Sequence, residues 1–311
     1  MSGYELSGKK VYVAGHGGMV GSALMCRLAR EGCETVTAPR SLDLREQAAV
    51  RDWFARERPD AVFVAAARVG GIAANAARPV GFMYDNLMIG ANIVEAAARS
   101  DVGKLVFLGS SCVYPREAAQ PIAEDALLTG PLEPTNQWYA IAKIAIIKLV
   151  EAFAREEGRD FISIMPCNLY GPGDNFDLET SHVLPALIRK AHEAKLAGDE
   201  VLEVWGSGRP LREFLHVDDC ADGLVTACRR MHGPALANLG SGDEISIADL
   251  ARLVASQVGF EGRLIFDASR PDGTPRKLMD ASAMQALGWS PSIPLDRGIA
   301  DAYRWFLNHV A

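Results

Sequence analysis

The sequence predicts an α/β chain built on a doubly wound, mostly parallel sheet, with a smaller, mainly C-terminal α/β domain attached. Three observations predict it. Short apolar, β-rich runs alternate with stretches of helical period through the first 167 residues. The first run ends in a glycine cluster that opens a helix. After Pro166 the rhythm breaks into a long segment, LYGPGDNFDLETS, dense in Gly, Pro, Asp and Asn.

Taken in order, KKVYVAG is a strand and the apolar positions from Met19 to Arg30 recur as in a helix. CETVTAP is the second strand, REQAAVRDWFARER a helix and DAVFVAAA the third strand. A helix over 87–99, the strand KLVFLGS, a helix over 138–157 and the strand DFISIMPCN continue the alternation that places helices on both faces of a parallel sheet. Beyond the irregular loop come the helix HVLPALIRKAHEAKLAG, a strand at LEVWG, the loop SGRPLREFLHVDD and a helix over 219–232. The strand ALANLG, the helix SIADLARLVASQVG and the strand-plus-loop GRLIFDASRPDGTPRKLMD follow.

With 311 residues, 49% hydrophobic and 23% charged, the chain can bury a large core. A net charge of -7 gives no general attraction to nucleic acid or to an anionic membrane, so an anionic ligand must be held by local donors. No apolar run reaches the length of a membrane span and the N-terminus lacks a signal pattern, which predicts a soluble cytoplasmic protein without a membrane partner. The six cysteines show neither C-x-x-C pairs nor zinc-ligand spacing, so no metal site is expected.

VYVAGHGGMVGSAL sets Gly15, Gly18 and Gly21 three residues apart between strand and helix. Glycines here let the backbone turn tightly, approach a pyrophosphate and present free helix N–H groups to it, as in a Rossmann-type dinucleotide domain. The second strand ends without a carboxylate to hold a ribose 2′-hydroxyl and offers Arg40 instead, which favours NADP. Tyr139 and Lys143, four apart in NQWYAIAKIAIIKLV, share one helix face and form a pair suited to protonating a ketone oxygen beside a hydride carrier. Ser110 and Ser111 follow the strand KLVFLG, at the carboxyl edge where open parallel sheets bind ligands. Ser110 is read as a substrate contact, and Ser111 stays open between catalysis and phosphate binding.

The set AGHGGMVGSAL, FLGSSCVYP, EPTNQWYAIAK, NLYGPGDNF, SHVLPALIRK, WGSGRPLREFLHVDD and PDGTPRKLMD resembles the extended short-chain dehydrogenase/reductases, specifically their GDP-4-keto-6-deoxy-D-mannose 3,5-epimerase-4-reductase branch. The resemblance runs from about Lys10 to Phe306. It implies C3 and C5 epimerisation of a 4-keto GDP-sugar, GDP-4-keto-6-deoxy-D-mannose, followed by C4 reduction with NADPH to GDP-L-fucose. Cys112 is then the base and His182 the acid, with Ser110, Tyr139 and Lys143 carrying the reduction. Ser181 is the candidate N-cap that would put His182 in the first turn of its helix. Cofactor contacts are expected at Gly15, His16, Gly17, Gly18, Met19, Val20, Gly21 and Arg40, at Leu108, Gly109, Ser110, Tyr139 and Lys143, and at Pro166, Asn168, Leu169 and His182. Substrate contacts are expected at Ser111, Asn136, Asn168, Val183, Leu187, Lys190 or Arg189, Trp205, Arg212, Asp272 and Lys277.

Gly17 replaces an arginine common in relatives, so NADPH is preferred with NADH use left open. The resemblance implies a homodimer through helices near 87–99 and 139–157. It also implies interleaved domains, 1–167 with 215–243 for the cofactor and 168–214 with 244–311 for the sugar. His216 in FLHVDD is read as structural. The readings that remain beside this one are a GDP-L-colitose-type synthase, a nucleotide-sugar 4-epimerase that would not need Cys112 with His182, and a non-catalytic NADP-binding protein.

Overall fold

The computed structural model describes residues 3–270 and 272–311. Its first half alternates as the apolar pattern predicts: β1 (Lys10–Ala14), α1 (Met19–Leu28), β2 (Glu34–Val36), α2 (Gln47–Glu57), β3 (Ala61–Val64), α3 (Ile72–Ala77), α4 (Pro79–Arg99), β4 (Lys104–Leu108), α5 (Gln137–Glu157) and β5 (Phe161–Pro166). These strands and β9 form one parallel sheet in the order β2-β1-β3-β4-β5-β9, where β9 is Ala235–Leu239. Every residue of β3, β4 and β5 is buried, which accounts for their unbroken apolar runs. Helix α1 packs with α7 (Val217–Arg230), while α4 packs with α2 and α5, so the sheet is covered by two helical layers.

Helix α4 begins earlier than the apolar periodicity suggests. Pro79 occupies its first turn, where a missing N–H costs nothing, and the helix runs on through residue 87 without a break.

The stretch LREFLH, expected to be loop, is strand β8 (Leu211–His216), and it organises the second half of the chain. β6 (Asn168–Tyr170) and β12 (Arg276–Lys277) pair with it in parallel, and β10 (Glu244–Ser246) pairs antiparallel. The charged residues that disguised β8 have specific partners. The Glu213 carboxylate is fully buried and accepts hydrogen bonds from the backbone N–H groups of Gly242 (2.7 Å) and Met279 (3.0 Å). A separate parallel pair joins β7 (Val201–Trp205) to β11 (Arg263–Asp267). Around these strands α6 (Val183–Ala197), α8 (Ile247–Val258) and α10 (Leu295–His309) enclose a second apolar core that includes Leu184, Ile188, Leu250, Val254 and Ile299. Met279, Met284 and Trp289, around α9 (Ser282–Ala286), pack instead on the core of the large sheet, although this segment was expected with the sugar-binding portion. Helices α3, α9 and α10 were not read from the sequence.

His216 caps α7: its Nδ1 accepts from the Asp218 N–H at 3.2 Å, and burial pushes its imidazole below the ordinary range, in keeping with a structural role. Among the described residues no helix is long and apolar enough to cross a membrane, and no cluster of His, Cys, Asp or Glu could hold a metal ion.

Candidate active site

The carboxyl ends of β4 and β5, the start of α5, the N-terminus of α6 and strands β7, β8 and β12 surround a cavity of about 350 Å³. Its wall includes Ser110, Cys112, Asn136, Tyr139 and His182, so side chains from three separate sequence motifs reach one space. Asn168, Leu169, Val183, Leu187, Lys190, Trp205, Arg212, Asp272 and Lys277 also line it.

Cys112 lies in a single 3-10 turn, Ser111–Val113, that follows β4. The Ser110 side chain caps this turn by accepting from the Cys112 N–H at 3.3 Å, which fixes the sulfur's direction. Asn136, the N-cap of α5, donates its amide N–H to Cys112 Sγ at 3.2 Å. Lys277 Nζ stands 4.0 Å from the same sulfur. Arg212 is close enough for the thiol to influence its charge, although burial is the larger effect and lowers the guanidinium's proton affinity. Cys112 thus presents its sulfur to the cavity with an amide donor and an ammonium as its neighbours.

His182 is itself the N-cap of α6, with extended backbone (φ −79°, ψ 170°). The expectation that Ser181 caps the helix is thus corrected: Ser181 lies one residue outside, its hydroxyl buried without a hydrogen-bond partner. Pro185 falls in the first turn, where proline is tolerated. Protein packed around the imidazole pushes its pKa down by desolvation, while the face toward the cavity keeps the residue exposed.

Tyr139 and Lys143 sit one turn apart on α5 as predicted. Burial, and secondarily the Cys112 charge, push the Tyr139 phenol up, while a hydrogen bond with Ser110 pulls it back. Lys143 is buried behind the cavity wall, donates to the Leu108 carbonyl at 2.7 Å and lies 5.8 Å from the Tyr139 ring centre. Desolvation pushes its ammonium down to about 7. An anion placed beside Lys143 would oppose this desolvation and favour the charged ammonium.

The glycine loop connects β1 to α1. Gly15 has φ +85°, and a Cβ there would meet the Ala66 backbone at 2.7 Å; a Cβ on Gly21 would collide with the Gly15 carbonyl. These two residues let loop, sheet and helix close together, whereas Gly17 has nothing within 4 Å of a Cβ position and Gly18 is the N-cap of α1. The bare backbone at the N-terminus of α1 fits a dinucleotide pyrophosphate. His16, Met19 and Val20 belong to this same turn. Arg40 is exposed beyond β2 and makes no ion pair among the described residues, leaving its guanidinium available to a phosphate. Leu108, Gly109 and Pro166 lie at the carboxyl ends of β4 and β5.

Two expected substrate contacts lie elsewhere. Ser111 is buried and forms no part of the cavity wall, and Arg189 pairs with Glu193 at 2.7 Å. Lys190 does reach the wall, with Nζ 4.5 Å from the Trp205 ring centre. Arg212 donates to the Leu211 carbonyl, and Asp272 accepts from the Ser207 N–H and hydroxyl, both at 2.7 Å. The wall also contains Asn75, Glu133 and Thr274, which the sequence did not single out, and Ser181, which it offered only as a helix cap. Glu133 falls inside EPTNQWYAIAK and could have been found there; Asn75 belongs to none of the motifs.

The profile of the NAD dependent epimerase/dehydratase family matches residues 11–240. A GDP-L-fucose synthase of Sinorhizobium fredii is 54% identical over 309 residues, covering 99% of this chain and 98% of that protein. A GDP-L-colitose synthase of Yersinia pseudotuberculosis is 36% identical over 302 residues, covering 96% of this chain and 98% of its own. Among solved structures, a GDP-L-fucose synthetase from Naegleria fowleri bound to NADP superposes with a TM-score of 0.90 at 30% identity, covering 99% of this chain and 97% of that one.

Proposed function

The chain belongs to the NAD dependent epimerase/dehydratase family and, within it, to the GDP-L-fucose synthases, and we propose that it converts GDP-4-keto-6-deoxy-D-mannose to GDP-L-fucose with NADPH. The observation that carries this reading is the meeting of Cys112 and His182 in the cavity that also holds Ser110 and Tyr139. A 4-ketone acidifies the hydrogens on C3 and C5. Cys112 removes the proton from one face, leaving an enolate, and His182 returns a proton to the other face; Cys112 then gives its proton to solvent and His182 takes one up, so the same pair can act at the second carbon.

The bare backbone of Gly15–Gly21 and the N-terminus of α1 would hold the NADPH pyrophosphate and Arg40 its 2′-phosphate, and the bound cofactor would supply the hydride for C4. Tyr139 delivers the proton to O4, Ser110 holds that oxygen, and Lys143 supports the phenol from behind. Arg212, Lys277 and Lys190 hold the diphosphate, which an acidic protein can bind only through such local charge. Asn168, Val183, Leu187, Trp205 and Asp272 shape the rest of the GDP-sugar site.

The exposed apolar residues Val80 and Tyr84 on α4, with Trp138 and Ile141 on α5, support dimerisation through these helices. Six free cysteines support a reducing, cytoplasmic setting.

Product analysis by NMR tests the function. With GDP-4-keto-6-deoxy-D-mannose and NADPH the expected product is GDP-L-fucose with stoichiometric NADPH oxidation. Turnover confined to the 3-deoxy GDP-keto-sugar would make the protein a colitose-type synthase. Interconversion of the C4 epimers of a nucleotide sugar that carries a C4 hydroxyl, without net NADPH consumption, would make it a 4-epimerase.

A further inference from the structure

Asn75 is 5% exposed, yet it lines the cavity, and its carboxamide oxygen has no hydrogen-bond partner. The orientation of that oxygen is not arbitrary. Both amide donors are committed, Nδ2 giving 2.7 Å to the Gly70 carbonyl and 3.0 Å to the Gly71 carbonyl. Flipping the carboxamide would bring its oxygen against two carbonyl oxygens, so Oδ1 is locked as an acceptor.

The segment carrying these carbonyls is fastened to the one preceding His182. The Gly71 N–H donates to the Thr180 carbonyl at 2.8 Å, and no side chain fits at Gly71, because a Cβ would collide with the Ser181 carbonyl. Ser181 also lines the cavity, and its buried hydroxyl likewise lacks a partner. Two unpaired buried polar atoms, one on the residue before His182 and one tied to that segment through Gly71, thus carry a desolvation cost that protein contacts do not repay.

We propose that Asn75 and Ser181 form a hydroxyl-reading subsite for the hexose, Asn75 Oδ1 accepting the hydrogen of the C3 hydroxyl and Ser181 Oγ bonding the same oxygen. This rests on the proposed function, whose sugar has ring hydroxyls only at C2 and C3. The subsite adjoins His182, which must reach C3, and that selects the C3 hydroxyl. An acceptor that cannot rotate into a donor fits a hydroxyl and rejects a carbon that has none, since the 3-deoxy sugar leaves Oδ1 buried and unpaired. Asn75 is accordingly a specificity determinant that separates fucose-type from colitose-type substrates.

The test compares wild type, Asn75→Ala and Ser181→Ala on GDP-4-keto-6-deoxy-D-mannose and its 3-deoxy analogue. The readouts are kcat/KM, deuterium wash-in at C3 and C5, and the Kd for NADPH. Wild type is expected to favour the hydroxylated sugar by on the order of 10². Asn75→Ala should lower kcat/KM and wash-in on that sugar at least about tenfold, leave the 3-deoxy sugar within about twofold, and leave NADPH affinity unchanged. Ser181→Ala keeps every hydrogen bond of Asn75 and should shift the preference in the same direction, so it carries the comparison if Asn75→Ala does not fold. Equal losses on both sugars, or none on either, would overturn the inference while wild-type turnover upholds the function. Wild type inactive on both sugars would overturn the function and the inference together.

Discussion

Lys277 Nζ stands 4.0 Å from Cys112 Sγ, although 165 residues separate them. The contact exists because β12 pairs with β8 in a register that sets Lys277 beside Arg212, at the edge of the cavity into which the turn after β4 delivers the sulfur. The same ammonium can therefore stand beside both a substrate phosphate and the Cys112 sulfur. Lys277→Met should slow alkylation of Cys112 by iodoacetamide about tenfold at pH 7.5, read by peptide mass, and should raise KM for the GDP-sugar. Unchanged alkylation would remove Lys277 from the base's surroundings.

Arg40 is exposed and unpaired among the described residues. Arg40→Ala should weaken NADPH binding at least about tenfold and leave NADH binding within about twofold, because only the former carries the 2′-phosphate. Fluorescence titration of both cofactors measures this, and equal losses would place the 2′-phosphate elsewhere.

Asp174 predicts a pH dependence of stability. Burial pushes its carboxyl up to about 7, against a weaker opposing hydrogen bond from the Asn175 N–H, and its Oδ2 is sealed without a partner although the residue as a whole remains partly accessible. Between the unfolded value near 4 and about 7 the folded state retains a proton that the unfolded state has lost, so this group's contribution to stability falls as pH rises through that window. Asp174→Asn should therefore raise Tm by about 2–4 °C more at pH 8 than at pH 4.5. An equal shift at both pH values would contradict the assignment.

Glu213 holds the second half of the site together. It ties the loop at Gly242 and the chain at Met279 to β8, and its own carbonyl accepts from Asn168 Nδ2 at 2.7 Å. Glu213→Gln directs an amide N–H at a backbone donor, which should cost about 1–3 kcal/mol of stability in a denaturant titration. It should also raise KM for the GDP-sugar more than it lowers kcat.

The large sheet was legible because its strands are buried on both faces and their apolar runs are uninterrupted, as in AVFV and KLVFL. Strand β8 was hidden because Arg212 faces a ligand cavity and Glu213 is buried on backbone donors, so its polar residues mimic a loop. The glycine turn and the Tyr139–Lys143 pair could be read because their chemistry depends on local spacing, whereas the roles of Cys112 and His182 came only from the family resemblance. Lys277 beside Cys112 could not, since that proximity is a consequence of strand register. Asn75 carried no local signal at all: its oxygen acquires meaning only once Gly70 and Gly71 are seen to occupy its donors.

Solvent deuterium incorporation, followed by mass spectrometry with NADPH present, most directly tests whether one cavity runs both epimerisation and reduction. Cys112→Ser should nearly abolish label uptake at C3 and C5 while still binding NADPH, and Tyr139→Phe should accumulate labelled keto-sugar without forming GDP-L-fucose. Wild-type levels of label uptake in Cys112→Ser would contradict the account.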